Sequence, residues 1–295
     1  MTENLRCIHR HDIEHHPSCF KLGRILQAKD EKMKKKIRQE LTPTKYKRVN
    51  IVKEPWYTHD DYKFGYFDIE TSNFTANNGF MVSYAIKERD NDDVIYNEIT
   101  QKEILAGDFD KRLVKECLED LAKFNIWVTY YGTGFDLPFL RTRSEHWYRE
   151  IRTEKYERLS ESNVPELRDS LQSLLPDDRK VPSRLKKEEI IDLILDRDDE
   201  LASFEFPEFG TTYHFDLYYT VRAKFRLHRN SLGVATEFFG IEGKTHMKPQ
   251  EWMLARIADP KVMPLIKEHN IEDVIILEKL HEIVNPYRKW TRKSI

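Results

Sequence analysis

The run Tyr66-Phe67-Asp68-Ile69-Glu70-Thr71 constrains this chain more than any other, because it sets two carboxylates two residues apart in an apolar stretch that reads as a buried strand. Residues i and i+2 of a strand share a face, so Asp68 and Glu70 point the same way. Two uncompensated anions at the end of a core strand are costly, and a divalent cation between them is the simplest remedy. The bland alternative is an edge strand with a solvated face. An isolated Asp-x-Glu favours that alternative, so its weight depends on what the rest of the chain places behind it.

At 295 residues and 39% hydrophobic content, the chain can bury one large core or two modest ones. The 49 Lys and Arg nearly balance the 51 Asp and Glu, so net charge gives no guide to partners and local patches carry that information. No apolar run is long enough to span a bilayer, and the N-terminus lacks the apolar stretch of a signal peptide. The expectation is a soluble, intracellular protein with no membrane partner. Three cysteines are too few for a disulfide framework, and Cys117 falls on an apolar helical face with Leu113, Val114, Leu118 and Leu121, as a core residue would.

The segment 1–55 has a different character. Cys7, His9, His11, His15, His16 and Cys19 crowd its first twenty residues. Cys7, His9, His16 and Cys19 could close a tetrahedral site for one structural Zn²⁺, with His11 or His15 as substitutes; an unstructured His-rich tail is the alternative. From Lys21 to Lys53 the chain is basic, with Lys34, Lys35 and Lys36 on a helical stretch that is either a solvated face or a phosphate-binding surface.

Beyond Pro55 three strand-like runs, Phe64 to Glu70, Phe80 to Lys87 and Val94 to Ile99, are joined by turn-rich Asn77-Asn78-Gly79 and Asp90-Asn91-Asp92, which predicts an antiparallel meander. An amphipathic helix from about Phe109 to Lys123 leads to a fourth strand over 126–131, and a fifth is expected over 212–217. Meander, helix and returning strand describe an α/β layer arrangement. Asp136 follows Gly132-Thr133-Gly134 and could simply cap a helix. A charged segment, 144–205, carries two short helical patterns and reads as a helical insertion, weakly similar to SAP-type DNA-binding modules. The expected core is therefore 56–143 with 206–287. Its last helix, about 261–284, sets His269 and Asp273 on one face, where they could also just bond each other.

Phe67-Asp68-Ile69-Glu70-Thr71, Tyr130-Tyr131-Gly132-Thr133-Gly134-Phe135-Asp136 and His269-Asn270-Ile271-Glu272-Asp273-Val274 together resemble the three ordered motifs of the DEDD superfamily of ribonuclease-H-like 3′ to 5′ exonucleases, closest to the YprB-type branch. The resemblance covers roughly 62–142 and 210–285. It implies a ribonuclease-H-like mixed five-stranded sheet flanked by helices, with Asp68, Glu70, Asp136 and Asp273 holding two Mg²⁺ or Mn²⁺ and His269 accepting the proton of an attacking water. Tyrosine-type members place Tyr four residues before the last Asp and histidine-type members place His five before it; here His269 occupies the tyrosine-type position. Arg222, Lys224, Arg226 and Arg229 are candidates to anchor a single-stranded or 3′-ended nucleic acid. Competing readings are a nucleic-acid-binding protein with a vestigial nuclease site and a structure-selective endonuclease.

Overall fold

The computed structural model describes residues 62–176, 179–207, 212–243 and 247–287, all within the unit Tyr62–Ile295. The zinc quartet Cys7, His9, His16 and Cys19 and the basic residues Lys34, Lys35 and Lys36 lie outside the described residues.

Strands β1 (Phe64–Thr71), β2 (Met81–Glu88) and β3 (Val94–Glu98) form the antiparallel meander, and β4 (Ile126–Thr129) and β5 (Tyr213–Asp216) add in parallel to give the order β3-β2-β1-β4-β5. This mixed five-stranded sheet with flanking helices is a ribonuclease-H-like α/β fold. Strand pairing sorts the side chains of β1 and β2 onto two faces. Tyr66, Asp68 and Glu70 stand opposite Lys87, Ala85 and Ser83, all facing α10 (Met263–Val284), where Lys87 pairs with Glu278. Phe67 and Ile69 stand opposite Ile86 and Tyr84 on the other face, where the Tyr84 hydroxyl donates to Asp120 of α2 (Lys111–Leu121) at 2.6 Å. The expected helix over 109–123 is α2, and a short helix that was not expected, α1 (Gln101–Ala106), precedes it. Gly107 ends α1 in the left-handed conformation that glycine adopts at least cost, and Cys117 is fully buried on α2.

The longest helix among the described residues, α3 (Asp136–Glu161), runs unbroken through residue 144, where the expected insertion begins. Its buried Trp147 and Ile151 belong to the same apolar core as Phe67 and Ile69. Helices α4 (Val164–Ser173), α5 (Lys187–Leu195) and α6 (Asp199–Ala202) follow, burying Leu167, Leu171, Ile190, Ile191 and Leu201 in that core and turning their charges outward. Helices α7 (Leu217–Lys224), α8 (Leu232–Phe238) and α9 (Pro249–Ala255) connect β5 to α10. No helix among the described residues is long and apolar enough to cross a membrane.

Candidate active site

Strand β1 changes character halfway along one face. Phe64 and Tyr66 are buried beside His281 of α10, with the Tyr66 hydroxyl 2.9 Å from His281 Nδ1, whereas Asp68 and Glu70 are only half-buried. The same helix supplies the groups that meet them. His269, Asn270 and Asp273 are all buried on α10, and the spacings i, i+3 and i+4 put Asn270 and His269 on the face of Asp273.

The contacts are specific. His269 Nε2 lies 3.5 Å from Glu70 Oε1 and 4.0 Å from Asp273 Oδ2, its ring edge-to-face with Trp252 of α9. One ligand atom each from Glu70, His269 and Asp273 lie within 4.8 Å of one another. Asn270 Nδ2 donates to Asp68 Oδ2 at 2.8 Å and to the Asp68 carbonyl at 3.3 Å, while its Oδ1 accepts from Ser83 Oγ at 3.0 Å. The serine thereby decides which way the amide points, and the amide orients the carboxylate.

Asp136 reaches the cluster from the first turn of α3. It does not occupy the cap position, which Phe135 takes without a side-chain cap bond; instead Asp136 Oδ1 accepts from Ile69 N at 3.3 Å. Burial pushes its carboxyl up to about 7, two backbone N–H bonds pull it down, and the charges of Asp216 and Asp273 add to the rise. These donors are carboxylate oxygens with one imidazole, the chemistry of hard divalent cations, and positive charge among them would reverse the cost of crowding buried carboxylates. Glu70, His269 and Asp273, whose ligand atoms converge, therefore fit a divalent cation.

The turn between β4 and α3 is shaped by Asp216, the last residue of β5. Its Oδ1 accepts from Tyr131 N at 2.8 Å and from Tyr218 N at 3.1 Å, capping α7, and its Oδ2 accepts from Thr133 N at 2.9 Å. Tyr131 is held at φ 69°, the left-handed region. Glycine is required next to it, since a Cβ at Gly132 would lie 2.2 Å from Thr129 Oγ1 and one at Gly134 only 2.5 Å from the Tyr131 ring. Strand β4 stops at Thr129 rather than at Tyr131 because Asp216, not a neighbouring strand, accepts the Tyr131 N–H.

A cleft of about 550 Å³ opens here, bounded by Asp68 and Asp273 and by Tyr130, Tyr131, Tyr218 and Arg229. Of the four expected phosphate-binding residues, Arg229 lines this cleft; Arg222 and Lys224 at the end of α7 and Arg226 beyond it are exposed. Asn270 and Asp216 were not expected from sequence to serve the site. The readable signals were the i, i+3 spacing of Asn270 to Asp273 and an Asp placed at the junction of a strand and a helix, where side-chain caps occur.

A family model described as the RNase_H superfamily matches residues 65–203, a little under half of the chain. No curated protein matches. Among solved structures, the chain is similar to the family B DNA polymerase from the hyperthermophilic archaeon Pyrobaculum calidifontis, at 17% identity and a TM-score of 0.45 over 76% of this chain and 25% of that one. The chain thus spans a quarter of the polymerase's length. The superfamily match begins at the second residue of β1 and ends just beyond α6, so it takes in Asp68, Glu70 and Asp136.

Proposed function

We propose that this protein is a metal-dependent 3′ to 5′ exonuclease acting on DNA or RNA, of the DEDD superfamily and its YprB-type branch. The observation that carries the reading is the convergence of four carboxylates from three distant stretches, β1, the start of α3 and α10, along the second half of β1. The ribonuclease-H-like fold and the superfamily match support a nuclease and a nucleic-acid substrate.

Asp68, Glu70, Asp136 and Asp273 would hold two Mg²⁺ or Mn²⁺. Such ions supply Lewis acidity for attack of water at phosphorus and for departure of the 3′ oxygen. The chain's own residues do the rest. His269 Nε2, facing Glu70 and Asp273, takes the proton of the attacking water. Asn270 keeps Asp68 in one orientation. Arg229 offers a planar donor fork to the phosphates of the entering strand. The product is a nucleoside 5′-monophosphate.

The test is incubation of end-labelled single-stranded and duplex DNA and RNA with Mg²⁺, Mn²⁺ or EDTA. A metal-dependent ladder from the 3′ end, lost in Asp68→Ala, is expected. A single internal cut would replace the exonuclease with an endonuclease, and binding without cleavage in any metal would leave only a nucleic-acid-binding protein. His269→Ala should lower turnover by about a hundredfold or more. Complete rescue of that variant by excess Mn²⁺ would reduce His269 to an orienting role. The N-terminal Cys7, His9, His16 and Cys19 form a separate proposed Zn²⁺ site; protein made without chelator should carry about one equivalent of zinc, lost in Cys7→Ser.

A further inference from the structure

We infer that Asp216 is a positioning residue of the site: acting through the backbone of the β4–α3 turn, it fixes the first turn of α3 and with it the Asp136 carboxylate. This inference rests on the nuclease reading, which makes Asp136 a metal ligand.

A helix that delivers a buried carboxylate needs a fixed start, and α3 does not cap its own. Phe135 takes the cap position and makes no side-chain cap bond. The N–H groups at the start of a helix must then be met from elsewhere. Here the preceding turn meets them with its carbonyls. Tyr131 O accepts from Gly134 N at 2.9 Å and from Phe135 N at 3.0 Å, and Gly132 O accepts from Leu137 N at 3.0 Å. Both amides flanking Asp136 therefore depend on the geometry of Tyr131 and Gly132, which sets the direction from which Asp136 reaches Ile69 N on β1.

Tyr131 does not adopt that geometry by preference. Its φ of 69° lies in the left-handed region, where a residue with a side chain is disfavoured by about tenfold or more. Such a conformation persists only where the surroundings impose it. Asp216 imposes it from the end of β5. Its Oδ1 accepts from Tyr131 N and its Oδ2 from Thr133 N, so one carboxylate grips the turn on both sides of Gly132. The intervening Gly132 N donates to Thr129 Oγ1 at 3.2 Å. All three successive N–H groups thus have side-chain acceptors, and Asp216 supplies two of them.

Asp216 has a local duty as well, since its Oδ1 also caps α7 through Tyr218 N. The two duties differ in what they require. Ser or Asn can cap a helix as Asp does. Holding Tyr131 and Thr133 together requires two acceptor oxygens set apart on one planar group, which a carboxylate has and a hydroxyl lacks. The difference lets experiment separate a mere cap from the remote clamp on α3.

The test reads two quantities on the full chain: hydrogen exchange of the Phe135 and Leu137 amides by NMR, and Mn²⁺ affinity from the electron paramagnetic resonance of the free ion. Asp216→Ala should speed exchange of both amides and weaken Mn²⁺ binding, each by about tenfold or more. Asp216→Ser keeps a cap for α7 and should be as impaired as Asp216→Ala. Asp216→Asn keeps the Oδ1 bonds and should bind Mn²⁺ within about threefold of wild type. Adding Tyr131→Gly to Asp216→Ala removes the conformational penalty and should recover most of both losses, which general destabilisation would not allow. Wild-type behaviour of Asp216→Ser, no recovery in the double variant, or unchanged exchange in Asp216→Ala would each overturn the inference. If exchange responds as expected while Mn²⁺ affinity moves in neither Asp216→Ala nor Asp136→Ala, the clamp on α3 stands and the metal reading of Asp136 fails. If Mn²⁺ affinity falls in Asp136→Ala but not in Asp216→Ala, the positioning role fails and the nuclease reading survives.

Discussion

Replacing Asp110 should unseat the helix that delivers Asp136. Asp110 stands at the start of α2 but makes no side-chain cap bond there. Its fully buried carboxylate instead accepts from Met81 N at 2.7 Å, from Arg143 Nε at 2.9 Å and Nη2 at 2.6 Å, and from Trp147 Nε1 at 2.9 Å. One side chain thus ties the first residue of β2 to two residues on the first half of α3. Asp110→Ala leaves the Arg143 guanidinium, itself 8% exposed, without its counter-charge, which costs about 3–5 kcal/mol. It also orphans two neutral donors at about 1–3 kcal/mol each. Because the three partners share one acceptor these costs do not simply add, and a total near 5 kcal/mol is expected. In urea denaturation the midpoint should fall at unchanged slope, and the melting temperature should drop by about 10–20 °C. Asp110→Leu combined with Arg143→Met removes both charges and should recover more than about 2 kcal/mol relative to the sum of the single variants. A cost below about 1 kcal/mol for Asp110→Ala, or a double variant no better than additive, would refute the assignment of Asp110 as the pin of α3.

Burial raises the Asp136 carboxyl to about 7, so its folded-state value exceeds the unfolded one. The stability it contributes is present at low pH and is lost as pH rises through 7. In EDTA, Asp136→Asn should therefore melt above wild type at pH 8, with the gap closing toward pH 4; a gap independent of pH would refute this. Mg²⁺ should raise the melting temperature of wild type at pH 8 more than that of Asp136→Asn, checked by thermal denaturation with and without metal. Arg229→Ala should weaken nucleic-acid binding and make the salt dependence shallower by about one phosphate contact. Asn270→Ala should weaken metal binding, seen by titration calorimetry, whereas Asn270→Asp should not restore it, because a second carboxylate cannot donate to Asp68.

Local chemistry alone announced much of this protein. Alternation along β1, turn residues between the first three strands and the 3.6-residue periodicity of α2 and α10 are short-range signals, and the antiparallel meander follows from them, whereas the parallel pairing of β4 and β5 is long-range. So did the pairing of Asp68 with Glu70 and of His269 with Asp273, because the periods of strand and helix put such neighbours on common faces. Element ends were less readable, since they depend on partners far away. Strand β4 ends where Asp216, some eighty residues later, takes the Tyr131 N–H, and α3 continues through 144 because Trp147 and Ile151 have a core to enter. The long-range bonds of Asp110, Asn270 and Asp216 belong to the tertiary structure. Each is a polar side chain whose own neighbours suggest a cap or a solvated position. Asp216 does cap α7, but it, Asp110 and Asn270 are all turned to distant donors or acceptors, because folding brings those groups close and removes the water that would otherwise have satisfied them.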